Sequence, residues 1–140
     1  VGKPAKGSDA TTILAIDDDH IVLDLLCRML KEHGFEVHPA DSGQKGLELA
    51  RELRPAAITL DVIMPEMDGW AVLAALKADP ELGEIPVIML TVIEERGAAI
   101  ALGASDYLLK PIERKQLLGV LKPHTAGTAA PVLIVNDEPV

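Results

Sequence analysis

Three carboxylates, a hydroxyl and an ammonium stand at the ends of four short apolar runs in this chain. Ile13-Leu14-Ala15-Ile16 runs into Asp17-Asp18-Asp19, and Ala56-Ala57-Ile58-Thr59-Leu60 runs into Asp61. Val87-Ile88-Met89-Leu90 ends at Thr91, and Tyr107-Leu108-Leu109 ends at Lys110-Pro111. In a parallel α/β sheet, ligands bind in the crevice beyond the carboxyl ends of the strands. If these runs are neighbouring strands, Asp17, Asp18, Asp61, Thr91 and Lys110 converge on one spot. The chemistry that fits such a set is transfer of a phosphoryl group.

Crowded carboxylates raise one another's pKa unless a cation joins them. Mg2+ is the natural guest, a hard ion that takes one or two carboxylates, keeps several waters and accepts a phosphate oxygen as a further ligand. The expectation is that Asp18 and Asp61 bind it directly and Asp17 acts through a bound water. The backbone carbonyl of Ile63 would complete the protein's share. An ionised Asp61 can then attack phosphorus in line, and an aspartyl nucleophile splits one hard transfer into two steps. Charge on the equatorial oxygens has to be offset. The ion, Lys110, and the Thr91 hydroxyl with nearby backbone N–H groups are placed to do so. Pro111 fixes the chain after the lysine and is a candidate for a cis bond, a form confined almost wholly to X-Pro.

Taken singly, each residue has a common structural use. An Asp run before a helix often supplies an N-cap, and Asp19 is read as one. Asp68 reads as a loop or cap residue and Trp70 as packing. His20, His33, His38 and His124 show no metal-ligand spacing and read as surface residues. It is the succession of the others at consecutive strand ends that points to a site.

The elements that would position them follow from periodicity. Strands are expected at 13–16, 35–38, 56–60, 86–90 and 107–109. A helix from near Asp19 carries Ile21, Val22, Leu25, Leu26, Met29 and Leu30 on one face, and His33-Gly34 closes it. Ser42 is the expected N-cap of a second helix ending before Pro55. Further helices are expected at 70–78, 94–102 and 113–121. Strands alternating with helices over short loops call for a doubly wound parallel sheet, an α/β fold with five strands and five helices.

At 140 residues the chain suits one domain with a sizeable core. Its 49% hydrophobic content excludes a disordered protein, while 2% aromatics mean the core must be aliphatic. The net charge of -9 argues against binding nucleic acid directly. Cys27 is the only cysteine and reads as a small buried hydrophobe, with no disulfide framework. No apolar stretch approaches the ~20 residues of a membrane span, and no signal-peptide pattern opens the chain. The expectation is a soluble, cytoplasmic domain without membrane insertion.

Residues 1–10 are small and polar and read as a linker or disordered arm. The main domain is read as 11–124, followed by a Thr/Ala/Gly/Pro linker at 125–131. Residues 132–140 then repeat the start of the domain, with Val132-Leu133-Ile134-Val135-Asn136-Asp137-Glu138 against Ile13-Leu14-Ala15-Ile16-Asp17-Asp18-Asp19. A repeat this far apart has the period of a whole domain. It is read as the first strand of a truncated second copy, with a simple sixth strand or tail as the alternative.

With these motifs in place, residues 11–124 resemble the receiver domain of two-component response regulators. The resemblance rests on Ile16-Asp17-Asp18-Asp19, Leu90-Thr91 and Gly103-Ala104-Ser105-Asp106-Tyr107-Leu108-Leu109-Lys110-Pro111. Its most specific part is Asp61-Val62-Ile63-Met64-Pro65-Glu66-Met67-Asp68-Gly69. It implies a flavodoxin-like sheet of strand order 2-1-3-4-5. It also implies a phosphoryl group taken by Asp61 from a histidine kinase or histidine phosphotransfer domain. Asp17 and Asp18 would be the acidic pair, Thr91 and Lys110 the switch hydroxyl and lysine. Tyr107 would be the aromatic switch whose ring turns inward as Thr91 moves toward the phosphate. The relay face formed by the fourth helix, fifth strand and fifth helix would include the surroundings of Glu94, Tyr107 and Arg114. Such a domain assists only its own phosphorylation and dephosphorylation and is otherwise no enzyme.

Val92 departs from the small residue common after the switch threonine, so its branched side chain is expected to crowd access by small donors. Ile63 and Ile93 flank the site and give an attacking water no polar help, so a long-lived phosphoryl group is expected. The rival reading is a haloacid-dehalogenase-like phosphatase with Asp17 as nucleophile. It leaves Asp61 and its Met-Pro loop unexplained and no room for a cap domain. A second rival is a receiver-like interaction module that is never phosphorylated, which would not bind Mg2+. The repeat at Val132 favours a larger parent with tandem receivers. A hybrid histidine kinase is preferred over a multi-receiver regulator, with the adjacent receiver as a possible partner.

Overall fold

The computed structural model describes residues 11–129. The expected arm at 1–10 and the repeat at 132–140 lie outside the described residues. The elements run β1 (Thr11–Ile16), α1 (His20–Lys31), β2 (Phe35–Ala40), α2 (Gly43–Leu53) and β3 (Ala57–Leu60). They continue with α3 (Gly69–Ala78), β4 (Val87–Thr91), α4 (Arg96–Ala101), β5 (Asp106–Leu109) and α5 (Arg114–Ala129). The five strands form one parallel sheet in the order β2-β1-β3-β4-β5. The doubly wound α/β fold expected from the alternation is the fold observed.

Side chains alternate across a strand, so each strand feeds two cores. From β1, Leu14 and Ile16 face a cluster built with Leu47 and Ala50 of α2 and Val72, Leu73 and Leu76 of α3. Ile13 and Ala15 face the opposite cluster with Leu26 and Leu30 of α1 and Leu117 and Leu121 of α5. In β4, Met89 joins the first cluster and Ile88 and Leu90 the second. Strands covered on both faces read as unbroken apolar runs, which is why β3 and β4 are wholly buried. The core is aliphatic as composition required, with Phe35 and Tyr107 the buried aromatics.

Polar side chains start the helices where expected. Asp19 accepts the N–H of Ile21 ahead of α1, Ser42 that of Lys45 ahead of α2, and Asp68 that of Ala71 ahead of α3. Lys110-Pro111 is cis. Trp70 packs against the first core.

The expected face of α1 is corrected. Leu23, Leu26, Met29 and Leu30 are buried, whereas Ile21 is 79% and Leu25 43% exposed. A helix with more apolar residues than one stripe can hold must leave some out, and Leu23 sets the phase. Cys27 consequently sits at the edge of that stripe. It is only partly buried, not the enclosed hydrophobe expected, and burial followed by the charge of Asp24 pushes its thiol pKa up. The fourth helix is shorter than expected, its N-cap residue Glu95 makes no side-chain cap, and the Glu95 N–H donates to the Tyr107 hydroxyl. The fifth continues past the expected end at Leu121, through Pro123, to Ala129. Thr125, buried, donates its hydroxyl to the carbonyl of Leu121 at 2.9 Å, a back-bond that Ser and Thr make inside helices. Helix therefore occupies 125–129, the first part of the stretch read as a linker.

Candidate functional site

Asp17, Asp61, Thr91 and Lys110 each sit at or one step past the end of a strand, still held by the sheet's hydrogen bonding, and Asp18 follows Asp17. Asp17 N–H donates to the Ala40 carbonyl at 3.0 Å, and Asp61 N–H to the Ile16 carbonyl at 3.0 Å. Lys110 N–H donates to the Thr91 carbonyl at 2.8 Å. The backbones are thus fixed by neighbouring strands while the side chains gather beyond the sheet's edge.

Carboxylate oxygens of Asp17, Asp18 and Asp61 lie within 4.8 Å of one another. Asp17 is 2% and Asp61 5% exposed, whereas Asp18 is open to solvent. Lys110 Nζ donates to Asp17 Oδ2 at 2.8 Å and stands 3.6 Å from Asp61 Oδ2. The other Asp17 oxygen, Oδ1, accepts the N–H of Asp19 at 2.9 Å. Thr91 is wholly buried, and its hydroxyl and the Ile63 backbone N–H favour the charged form of the Asp61 carboxylate.

Electrostatics follow from this geometry. Burial, and then the negative charge of Asp17, raise the pKa of Asp61 above its ordinary 3.8, and Lys110, Ile63 and Thr91 only partly offset them. For Lys110, burial works against the ammonium. The hydrogen bond and charge of Asp17, with those of Asp61, outweigh it and hold its pKa above the ordinary 10.5. Three acids against one cation leave a surplus of negative charge, open to solvent at Asp18. All-oxygen donors of this kind fit a hard divalent ion with several retained waters. Lys110, which the two buried acids hold in place, would grip an oxyanion together with that ion.

The structure brings together Asp17, Asp18, Asp61 and Lys110, with Thr91 at the end of the neighbouring strand. Ile63 acts on the Asp61 carboxylate through its N–H. Tyr107 is wholly buried, so it contributes nothing to an exposed relay face. It lies on the strand next to Thr91, whose carbonyl receives the Lys110 N–H. Val92 is 64% and Ile63 52% exposed, so both rim the site and neither fills it, whereas Ile93 packs against the core.

Two residues that shape the site were not anticipated. A Cβ on Gly69 would collide with the Asp61 carbonyl oxygen and lie 2.7 Å from Val62 Cα. Gly69 therefore lets α3 start directly beneath the residue that carries the acid, its N–H donating to the Val62 carbonyl at 2.8 Å. Arg96 is the other, lying over the ring of Tyr107. Arg96 has no local sequence signal, whereas Gly69 stands in the loop motif, where a glycine needed for close approach can be suspected.

A five-stranded doubly wound sheet with an acid cluster and a lysine at its carboxyl edge defines a class of α/β domain whose site is built from strand ends. Comparison with known proteins narrows it. The model of the response regulator receiver domain matches residues 13–122. The chain belongs to the response regulator receiver domain family. It is 39% identical over 109 residues to the DNA-binding dual master transcriptional regulator RpaA of Synechocystis sp., covering 76% of this chain and 45% of that protein. It is 34% identical over 118 residues to Protein PilH of Pseudomonas aeruginosa, covering 82% of this chain and 98% of that one. Among solved structures, the signal receiver domain of a signal transduction histidine kinase from Syntrophus aciditrophicus aligns with a TM-score of 0.78 and 31% identity, over 91% of this chain and 98% of that one. The chain spans about half the length of the first curated relatives, 45% of RpaA and 50% of the PrrA regulators. The domain is a signalling module of two-component systems, and the phosphatase reading is not favoured. No described helix is long and apolar enough to cross a membrane.

Proposed function

We propose that Asp61 accepts a phosphoryl group from the phosphohistidine of a histidine kinase or histidine phosphotransfer domain, and that the change is relayed through Thr91 and Tyr107. The observation that carries this reading is the position of Lys110 Nζ, within 2.8 Å of Asp17 and 3.6 Å of Asp61, beside three carboxylates whose oxygens lie within 4.8 Å. Asp61 Oδ attacks phosphorus in line, the O–P bond forms as the P–N bond breaks, and the imidazole leaves with its proton. Lys110 shifts from the carboxylates toward one equatorial oxygen. The Thr91 hydroxyl and the Ile63 N–H, which now favour the charged carboxylate, turn to the incoming anion. Asp17, Asp18, Asp61 and the Ile63 carbonyl would hold Mg2+, which supplies charge neutralisation when bound. Buried and desolvated partners make such electrostatic help large.

The reading is tested by treating the chain with acetyl phosphate in the presence and absence of Mg2+ and mapping the adduct by mass spectrometry. One phosphoryl group on Asp61, absent in Asp61→Asn and without Mg2+, is the expected result. A modified Asp17 would restore the phosphatase, and no Mg2+ binding at millimolar levels would favour an unphosphorylated interaction module.

For the wider protein we infer a cytoplasmic, multi-domain parent such as a hybrid histidine kinase, with a multi-receiver regulator as the alternative. Residues 1–10 and the stretch 125–131, whose first part is the end of α5, would connect the domain to its neighbours. The repeat in 132–140 would open a second receiver-like domain, a possible partner in the same chain. The likeness to a histidine kinase's receiver domain supports this parent, whereas RpaA and PrrA are transcriptional regulators.

A further inference from the structure

Tyr107 is the chain's only tyrosine, and its neighbours hold it from several sides. Its hydroxyl accepts the N–H of Glu95 at 2.8 Å. The Arg96 guanidinium carbon lies 5.7 Å from the centroid of its ring. The same guanidinium reaches Asp106 Oδ1 at 3.4 Å, and that oxygen accepts the Tyr107 N–H at 2.8 Å. One carboxylate oxygen thus ties the tyrosine's backbone to the arginine over its ring. Arg96 is the first residue of α4, whose N-cap position offers no side-chain bond, so the start of this helix is anchored through Tyr107.

We propose that Arg96 and Asp106 form a clasp that favours the inward position of Tyr107, which makes Arg96 a positioning residue for the switch. The inference rests on the reading of Thr91 and Tyr107 as switch residues. A cation within about 6 Å of an aromatic face is attracted to it. An exposed ion pair alone contributes little, but this guanidinium also shields the ring from water. A two-state element is biased only by contacts present in one of its states. Both the ring contact and the Glu95 bond are made by the ring in its inward position. The clasp therefore biases the α4–β5 face toward the arrangement with the ring inward.

The single tyrosine makes the test direct. Full-length chain labelled with 3-fluorotyrosine gives fluorine resonances from Tyr107 alone. Wild type is expected to show one buried resonance that hardly moves when beryllofluoride and Mg2+ are added. Arg96→Met keeps the stem without the charge. It should raise the outward-to-inward ratio about fivefold, which is about 1 kcal/mol at 1.4 kcal/mol per tenfold. Arg96→Lys should restore part of the inward population, and beryllofluoride with Mg2+ should return Arg96→Met to it. Thermal melting followed by Trp70 fluorescence checks that each variant folds. A dominant exposed resonance in wild type, or an Arg96→Met spectrum matching wild type, would overturn the clasp. If beryllofluoride binds neither protein, the phosphoacceptor reading fails, while the comparison without it still decides the clasp.

Discussion

Lys110 sits nearer to Asp17 than to Asp61: its Nζ is 2.8 Å from an oxygen of the former and 3.6 Å from one of the latter. The lysine is therefore held by Asp17 and leans toward Asp61. Asp17 and Asp61 are both nearly closed to solvent, so Lys110 is the cation that keeps their charges tolerable.

Lys110→Ala removes one partner of a buried network and leaves Asp17 and Asp61 facing each other. Loss of one partner in a buried pair costs about 3–5 kcal/mol. The partial exposure of Lys110 places the expected loss near the lower end, about 3 kcal/mol by urea unfolding in divalent-free buffer. Mg2+ should recover more stability in this variant than in wild type, because the ion replaces the missing positive charge. Saturation at a hundred times the dissociation constant contributes about 2.7 kcal/mol. Equal recovery in both proteins would mean that the lysine does not share the acids' field with the ion.

The raised pKa of Asp61 predicts a pH dependence with a defined sign. The native state holds its proton to higher pH than the unfolded chain does, so stability falls as pH rises from the ordinary 3.8 through the raised value. Asp61→Asn removes that slope. It should melt at a higher temperature than wild type at neutral pH without divalent ions, and the gap should close as pH falls below 3.8. A lower melting temperature at pH 7 would show that the support of the carboxylate by Lys110, Thr91 and Ile63 outweighs its burial.

Most of the site was legible because strand ends are. An apolar run that stops at Asp17, Asp61 or Lys110 announces both the strand and the residue beyond it, and a parallel sheet leaves those residues little choice but to meet. The face of α1 was not legible in the same way. Ile21, Val22, Leu23, Leu25 and Leu26 offer more than one apolar stripe, and only packing against Ile13 and Ala15 selects Leu23 and Leu26. The bond from the start of α4 to the Tyr107 hydroxyl escaped because that partner belongs to another element. The reach of α5 escaped because Pro123 reads as a stop, whereas within the fold it costs one backbone hydrogen bond.

Gly69→Ala tests whether close approach, rather than flexibility, explains that glycine. Every near neighbour of an added Cβ is backbone of Asp61 or Val62, which cannot swing aside as a side chain would. Overpacking costs about 1–3 kcal/mol, and the upper end is expected here. The variant that still folds should accept phosphoryl groups more slowly, since relief of the clash moves the acid relative to Lys110. Unchanged stability and an unchanged phosphorylation rate would show that the β3–α3 junction yields elsewhere.

The apolar rim of the site predicts a slow loss of phosphate and a bias against small donors. Hydrolysis needs a water aligned behind the phosphorus, and neither Ile63, at the rim, nor Ile93, packed on the core, can hydrogen-bond one. Phospho-Asp61 is expected to last minutes or longer, followed by intact mass after the donor is removed, and a half-life of seconds would refute this. Ile63→Gln places an amide at the rim and should speed hydrolysis on the order of tenfold, below the hundredfold or more of a positioned general base. Val92 stands at the mouth, 64% exposed, so Val92→Ala should leave hydrolysis unchanged and raise the rate of modification by acetyl phosphate several-fold. An equal change in both rates would place Val92 against the phosphorus itself, where the water must also pass.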